Sequence, residues 1–159
     1  SDVYKRQLEG MGVRVLRNER VSIGKGGAAF DLAGVDDHDG ARLAPGHGPD
    51  LRRALEERDP ERALVLLAHQ PRIVDEAADH GVGLVLSGHT HGGQIWPFSY
   101  LVYLQQPYVK GLIRHRDTWL YISSGTGFWG PPMRLGTTAE ITVVTLRAVP
   151  GMEEAGPSR

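Results

Sequence analysis

The chain has 159 residues, about one domain's worth, and its 18 basic and 19 acidic side chains leave a formal charge of -1. That balance argues against a nucleic-acid binder working through bulk charge, which carries a clear basic excess. With no cysteine there is no disulfide scaffold, thiol nucleophile or cysteine-ligated zinc, and no apolar run approaches the roughly 18 residues needed to cross a bilayer.

Residues 1–7, Ser1-Asp2-Val3-Tyr4-Lys5-Arg6-Gln7, fit no pattern that follows them. They resemble a peptide left by read-through of sequencing-library adapters and are expected to be a non-native leader. Residues 13–16 form a short extended run, residues 21–23 alternate as a strand should, and residues 28–35 read as a partner strand beyond a glycine turn. Asp36-Asp37-His38-Asp39-Gly40 and a Gly/Pro-rich loop follow. Asp50 is a good N-cap for a helix with Leu51, Ala54 and Leu55 on one face, ended by Asp59-Pro60.

Residues 63–68 are a continuous apolar run, the mark of a strand buried on both faces. Pro71 opens a helix through Ile73, Val74, Ala77 and Ala78 that closes at His80-Gly81, and residues 82–86 are a second buried run. Strand, crossover helix and strand make two parallel strands with a right-handed connection. Beyond Gly93 the chain turns aromatic. Strands at 108–113 and 119–123 bracket a polar hairpin, a Gly/Pro loop fills 125–136, a last strand is expected at 140–146, and residues 148–159 read as a disordered tail. No internal repeat is present.

Parallel strands joined by a crossover end on one edge of their sheet, where ligands bind. His69 sits just past the first buried run, and His89 and His91 just past the second, in Ser87-Gly88-His89-Thr90-His91-Gly92-Gly93. Topology alone gathers three imidazoles there, and neutral imidazole suits zinc, manganese or iron. The flanking glycines allow sharp bends and close approach. His38, His47, His80 and His115 lie in polar or helix-end contexts and read as solvated or capping.

At these residues the chain resembles the C-terminal half of a calcineurin-like metallophosphoesterase, in the bacterial branch related to transmembrane proteins with a metallophosphoesterase domain. The resemblance is carried by Leu66-Leu67-Ala68-His69-Gln70-Pro71 and by Gly88-His89-Thr90-His91-Gly92-Gly93-Gln94. Asn18-Glu19, Gly34-Val35-Asp36-Asp37 and Gly130-Pro131-Pro132-Met133-Arg134-Leu135-Gly136 extend it over residues 8–147. It implies an α/β fold, half of a four-layer α/β/β/α sandwich, and a phosphoric ester hydrolase with two divalent ions (manganese, zinc or iron). By position, His69 and His89 correspond to ligands of the second ion and His91 to a ligand of the first.

The family's other ligand blocks, Asp-X-His, Gly-Asp-X-X-Asp and Gly-Asn-His, have no counterpart here. Asp36 and Asp37 lie after the place for them and receive no role. The leaving-group histidine is therefore expected upstream, and the fragment alone is expected to be inactive. The alternative is a non-catalytic module that binds one metal or a partner through half of the fold.

Gln94 reads either as hydrogen-bonded to a histidine ring or the attacking hydroxide, or as a cap on the next turn. Arg134 reads either as a fork for a substrate phosphate or as a salt bridge fixing its loop. The run from Trp96 to Leu104 reads as a lid on the sheet or as a contact with a membrane surface or acyl chain. The family adds expectations here: a membrane-associated parent, and a phosphodiester or lipid-linked pyrophosphate such as UDP-diacylglucosamine as substrate. No nucleic acid and no obligate protein partner are inferred. Half of an open sheet also exposes an edge and an apolar face, so self-association is expected of the isolated chain.

Overall fold

The computed structural model describes residues 2–25, 28–43, 45–97 and 99–147, so the expected tail at 148–159 lies outside the described residues. Helix α1 spans Asp2–Gly10, and its Val3, Tyr4 and Leu8 are exposed. Strands β1 (Glu19–Lys25) and β2 (Ala28–Gly34) pair antiparallel, as their alternation predicts. Two one-turn helices follow, α2 (Gly40–Leu43) and α3 (Leu51–Ala54). Asp50 does cap α3, accepting the Arg53 N–H at 3.0 Å. The helix is much shorter than expected because its buried face is one turn long, Leu51 and Ala54.

Strand β3 (Leu64–Leu67) leads through a 3₁₀ turn at Pro71–Ile73 into α4 (Val74–Asp79) and then β4 (Leu84–Ser87). Proline opens the turn with its preset φ, and Gly81, at φ +68°, ends the helix in the left-handed region. A 3₁₀ turn at His91–Gly93, helix α5 (Ser99–Val102) and the hairpin of β5 (Gly111–His115) with β6 (Thr118–Ile122) complete the order. Among the described residues no helix is long and apolar enough to cross a membrane.

All six strands form one sheet in the order β1-β2-β3-β4-β6-β5. β2, β3, β4 and β6 are mutually parallel, flanked by antiparallel β1 and β5. The register aligns Ala33, Leu66, Val85, Leu120 and Ile113 in one row across the inner face. Leu51 of α3 and Val74 and Ala77 of α4 pack against that row to form the core.

The expectation of strands buried on both sides holds at Leu64, Val65 and Leu66 of β3 and fails further along the opposite face. Its row runs Gly34, Leu67, Leu86, Tyr121 and Leu112, and Leu67 and Leu112 are exposed. A groove of about 650 Å³ lies over this face, walled by Arg14 and Leu16 on one side and Glu140, Ile141 and Thr142 on the other. Apolar run length reports a hydrophobic strand; it does not report whether a second layer covers it.

Residues 140–146 likewise form no strand. Both edges of β6 are taken by β4 and β5, and Ile141, Thr142 and Val144 instead line the groove over the open face. The segment is anchored by Glu140 N–H to the Gly125 carbonyl at 3.0 Å and by the Tyr121 hydroxyl to Glu140 Oε1 at 2.6 Å. That hydrogen bond holds the Glu140 carboxyl below its usual range and the Tyr121 phenol above its own.

Candidate metal centre

Four parallel strands deliver four loops to one edge. Backbone hydrogen bonds close the edge in sequence: Val35 N–H to Leu67 O, Ala68 N–H to Leu86 O, Gly88 N–H to His69 O and Ser123 N–H to Ser87 O, all 2.9–3.2 Å. The ladder thus runs on past the strands into the loops that carry Asp36, Asp37, His69, His89 and His91. His69 Nε2 and His89 Nδ1 face each other at 3.2 Å, with ring centroids 4.9 Å apart and planes at 79°. Asp37 Oδ2 stands 3.9 Å from the same His69 nitrogen.

His91 is half-buried and its Nδ1 has no hydrogen-bond partner. A buried ring nitrogen left unpaired is costly in an apolar setting and fits a site awaiting an electrophile. His89 reaches solvent, yet desolvation, and next the charge of His69, hold its imidazole below the usual range; Asp37 and Asp39 pull it back up. Among the described residues no three His, Cys, Asp or Glu side chains already enclose a point as a metal would require. What the chain presents is a facing pair of ring nitrogens with a carboxylate close by.

The loop that carries His89 and His91 is held in an uncommon backbone. His89 (φ 70°), His91 (φ 50°) and Gln94 (φ 43°) join Gly92 and Gly93 in the left-handed region. A non-glycine residue persists there only where its surroundings over-determine it, at about 1–3 kcal/mol each. Gly92 and Gly93 are buried, and a side chain on either has no room: a Cβ would lie 2.6 Å from Ser124 Oγ or 2.5 Å from Ser99 Cβ.

Two polar side chains lock this conformation. The Gln94 amide accepts from Trp129 N–H at 2.6 Å and donates to the Trp129 and Pro131 carbonyls at 2.7 and 3.3 Å. It is therefore committed to the 129–131 loop, and among the described residues it makes no hydrogen bond to a histidine ring. Arg134 donates to the carbonyls of His91 (2.9 Å), Ser124 (2.7 Å) and Gly127 (2.6 Å), and more weakly to those of Gly125 and Thr138.

Among the described residues no acid pairs with Arg134, which acts as a clamp on carbonyls rather than as the expected salt bridge or a free phosphate fork. Arg134→Lys is expected to cost about 1–3 kcal/mol, since an ammonium cannot reach so many acceptors from one plane. A thermal melt within error of the parent chain would remove the clamp from the account.

Sequence reasoning set Asp37 aside, yet β2 ends on the same edge as β3 and β4 and delivers it beside His69. The signal was available: residues 28–35 are a strand followed at once by two aspartates. Its neighbour Asp36 serves elsewhere. Arg17 holds it by two bonds of 2.9 and 2.7 Å and keeps its carboxyl below the usual range. His80 caps α4 as expected, through Nδ1 and the Glu76 carbonyl. His115 is not solvated: Tyr108 and Asp75 each sit 3.0 Å from one of its ring nitrogens.

Residues 96–104 do not form a lid buried on the sheet. Trp96, Tyr100, Leu101, Tyr103 and Leu104 are all exposed, Leu104 by 81%, directly after the His91–Gly93 turn; Phe98 lies outside the described residues.

No protein-family model matches the chain. It is 44% identical over 153 residues to a transmembrane protein with metallophosphoesterase domain from Bos taurus, covering 90% of this chain and 34% of that protein. It is 43% identical over 141 residues to an uncharacterized metallophosphoesterase of Helicobacter pylori, covering 87% of this chain and 37% of that protein. To an uncharacterized metallophosphoesterase of Aquifex aeolicus it is 38% identical over 144 residues, covering 88% and 53%. Among solved structures it is similar to the Thermus thermophilus sulfate thiohydrolase SoxB in complex with glycerol, at 21% identity and a TM-score of 0.49, over 74% of this chain and 24% of that one. The chain spans about a third of the length of the first two relatives and about half of the third. Identity at this level, held across nearly the whole chain, makes it a member of the metallophosphoesterases over the segment it spans.

Proposed function

We propose that the chain supplies the histidine side of a binuclear metal centre in a phosphoric ester hydrolase. One observation carries this reading: His69 Nε2 and His89 Nδ1 meet at 3.2 Å on the carboxyl edge of parallel strands. Two nitrogens that each lie about 2.1 Å from one ion are about 3.0–3.4 Å apart at octahedral or tetrahedral angles. In this reading His69 and His89 hold one ion, of manganese, zinc or iron, and His91 holds its neighbour. Such ions, when bound, supply Lewis-acid stabilisation of an in-line displacement at phosphorus. Gln94 and Arg134 keep the loop in the left-handed conformation that sets the two histidines.

The remaining ligands and the leaving-group histidine belong, in this proposal, to protein outside these 159 residues, so the chain alone does not turn over. The relatives' greater length supports this. The exposed aromatic run beside His91 supports a lipid-linked phosphoester, such as UDP-diacylglucosamine, met at a membrane surface.

A His89→Ala, His91→Ala double variant of the intact protein is expected to lose bound metal and turnover together. Normal metal content by elemental analysis would overturn the ligand assignment. Metal uptake is also expected to fall as pH drops, because only neutral imidazole coordinates. Desolvation, and next the charge of His69, weaken proton competition at His89, and an unchanged affinity down to about pH 4 would point to other ligands. Turnover of a lipid-linked pyrophosphate against a soluble aryl phosphodiester decides the substrate class. The rival is a non-catalytic module that binds a metal or a partner through half of the fold; metal-replete intact protein that turns over neither substrate would favour it.

A further inference from the structure

We infer that two loops, residues 95–104 and 128–135, form one docking surface for the headgroup region of a phospholipid bilayer. For its purpose this surface rests on the lipid-linked reading above, but it needs no bound ion.

Hydrogen bonds make the two loops a single surface. Trp96 N–H donates to the Leu135 carbonyl at 2.8 Å and Leu135 N–H to the Gln94 carbonyl at 2.9 Å, while the Gln94 side chain spans to Trp129 and Pro131. To the exposed side chains of residues 96–104 the second loop adds Phe128, Trp129, Met133 and Leu135, which are 52–78% exposed.

The chemistry of this surface matches a headgroup layer. Residues 92–109 and 118–133 hold no charged side chain in a chain that is 23% charged, so nothing there resists transfer out of water. Trp and Tyr stand among the leucines, and their apolar bodies with polar tips settle at the membrane–water boundary. The open face of the sheet differs: it is aliphatic at Leu67 and Leu86 and has Arg14 and Glu140 in its groove walls.

Charge complements a phosphate layer as well. Lys110 directly follows the first loop, is exposed, and among the described residues makes no hydrogen bond or ion pair. No acid occurs between Asp79 and Asp117, and those two lie at the far edge of the sheet, ahead of β4 and β6.

Backbone groups that leave water must be satisfied internally. The N–H groups of Ser99, Tyr100 and Leu104 donate to the carbonyls of Ile95, Pro97 and Leu101 at 2.9–3.2 Å, and Met133 N–H to that of Pro131 at 2.7 Å. Because the first loop leaves directly from the turn that carries His91, docking turns the carboxyl edge of the sheet toward the headgroups.

The test is flotation of the 159-residue chain with vesicles of phosphatidylcholine, alone or mixed with phosphatidylglycerol, without added metal. The chain is expected to float with both and more with the mixture. A Tyr100→Ser, Leu104→Ser, Trp129→Ser variant, altered only at exposed side chains, is expected to bind at least about tenfold more weakly. Lys110→Ala should lose about fivefold on the mixture and nothing on phosphatidylcholine alone. An Ile141→Ser, Val143→Ser control removes side chains 86% and 87% exposed outside the surface, and should bind as the parent does.

A parent chain that does not float, or a control that loses as much binding as the triple variant, overturns the docking surface. If the parent does not float and the triple variant dissolves an oligomer formed without lipid, the surface is instead an interface between copies. Vesicle-bound intact protein that turns over only the soluble diester sinks the lipid-linked reading and leaves the docking surface standing.

Discussion

Gly93→Ala is expected to lower stability by about 2–5 kcal/mol, a large effect for one methyl group, and to remove metal uptake with it. Two costs combine. Gly93 sits at φ +81°, where a side chain costs about 1–2 kcal/mol. Its Cβ would also come 2.5 Å from Ser99 Cβ and 3.1 Å from Ser99 Cα. The second contact is backbone, so rotation of the serine side chain relieves only part of the clash, and overpacking of this kind costs about 1–3 kcal/mol more.

The strain is relieved by moving either α5 or the turn that carries His91, and both routes displace a proposed ligand or its support. Gly127→Ala is the control: nothing lies within 4 Å of that Cβ and its φ is not left-handed, so it should melt within about 0.5 kcal/mol of the parent chain. Equal melts for the two variants would mean that the close approach of the turn to α5 is wrong.

Leu66→Ala is expected to cost about 2–5 kcal/mol, a fall in Tm of about 4–20 °C for a chain of this size. Leu66 is fully buried in the middle of the inner row, between Ala33 and Val85, with α3 and α4 packed above. Its neighbours belong to strands that cannot collapse into the space without breaking the ladder, so most of the cavity stays open. Leu112 belongs to the opposite face and is 61% exposed, and Leu112→Ala should change stability by no more than about 0.5 kcal/mol. Denaturant or thermal unfolding of the pair measures the contrast. Similar losses for both would show that the outer face is covered in solution.

The elements that could be read from the sequence were those whose signal is local. The crossover unit was legible because its two apolar runs, Pro71 and His80-Gly81 each announce one element boundary. Its parallel pairing then forced His69 and His89 together. The hairpin around Arg116 was legible for the same reason.

What failed was non-local. The expectation of a strand at 140–146 rested on alternation alone, and alternation cannot say whether a pairing edge is free; β6 has none to offer. Burial on both sheet faces was inferred from composition, and composition cannot see that Leu67 and Leu112 stay exposed.

At the site, the histidines followed from topology, whereas the place of Asp37 depended on β2 lying parallel beside β3. The sequence reading had assigned β2 only as the hairpin mate of β1. The roles of Gln94 and Arg134 depended on where the 124–138 loop folds back, which no motif encodes.

The segment at 141–146 has a consequence for cooperativity. None of its amide groups joins a backbone ladder among the described residues, while Ile141 and Val143 are 86% and 87% exposed. β3 and β4, by contrast, are bonded on both sides. Order in this molecule is therefore graded: the central strands open only with the whole sheet, and the ribbon across the outer face opens on its own at little free-energy cost. Tyr121, bonded to both Glu140 and Thr142, ties the start of this ribbon to β6, so the histidine pair stands on the rigid side of that boundary and the Ile141–Val144 wall of the groove on the yielding one.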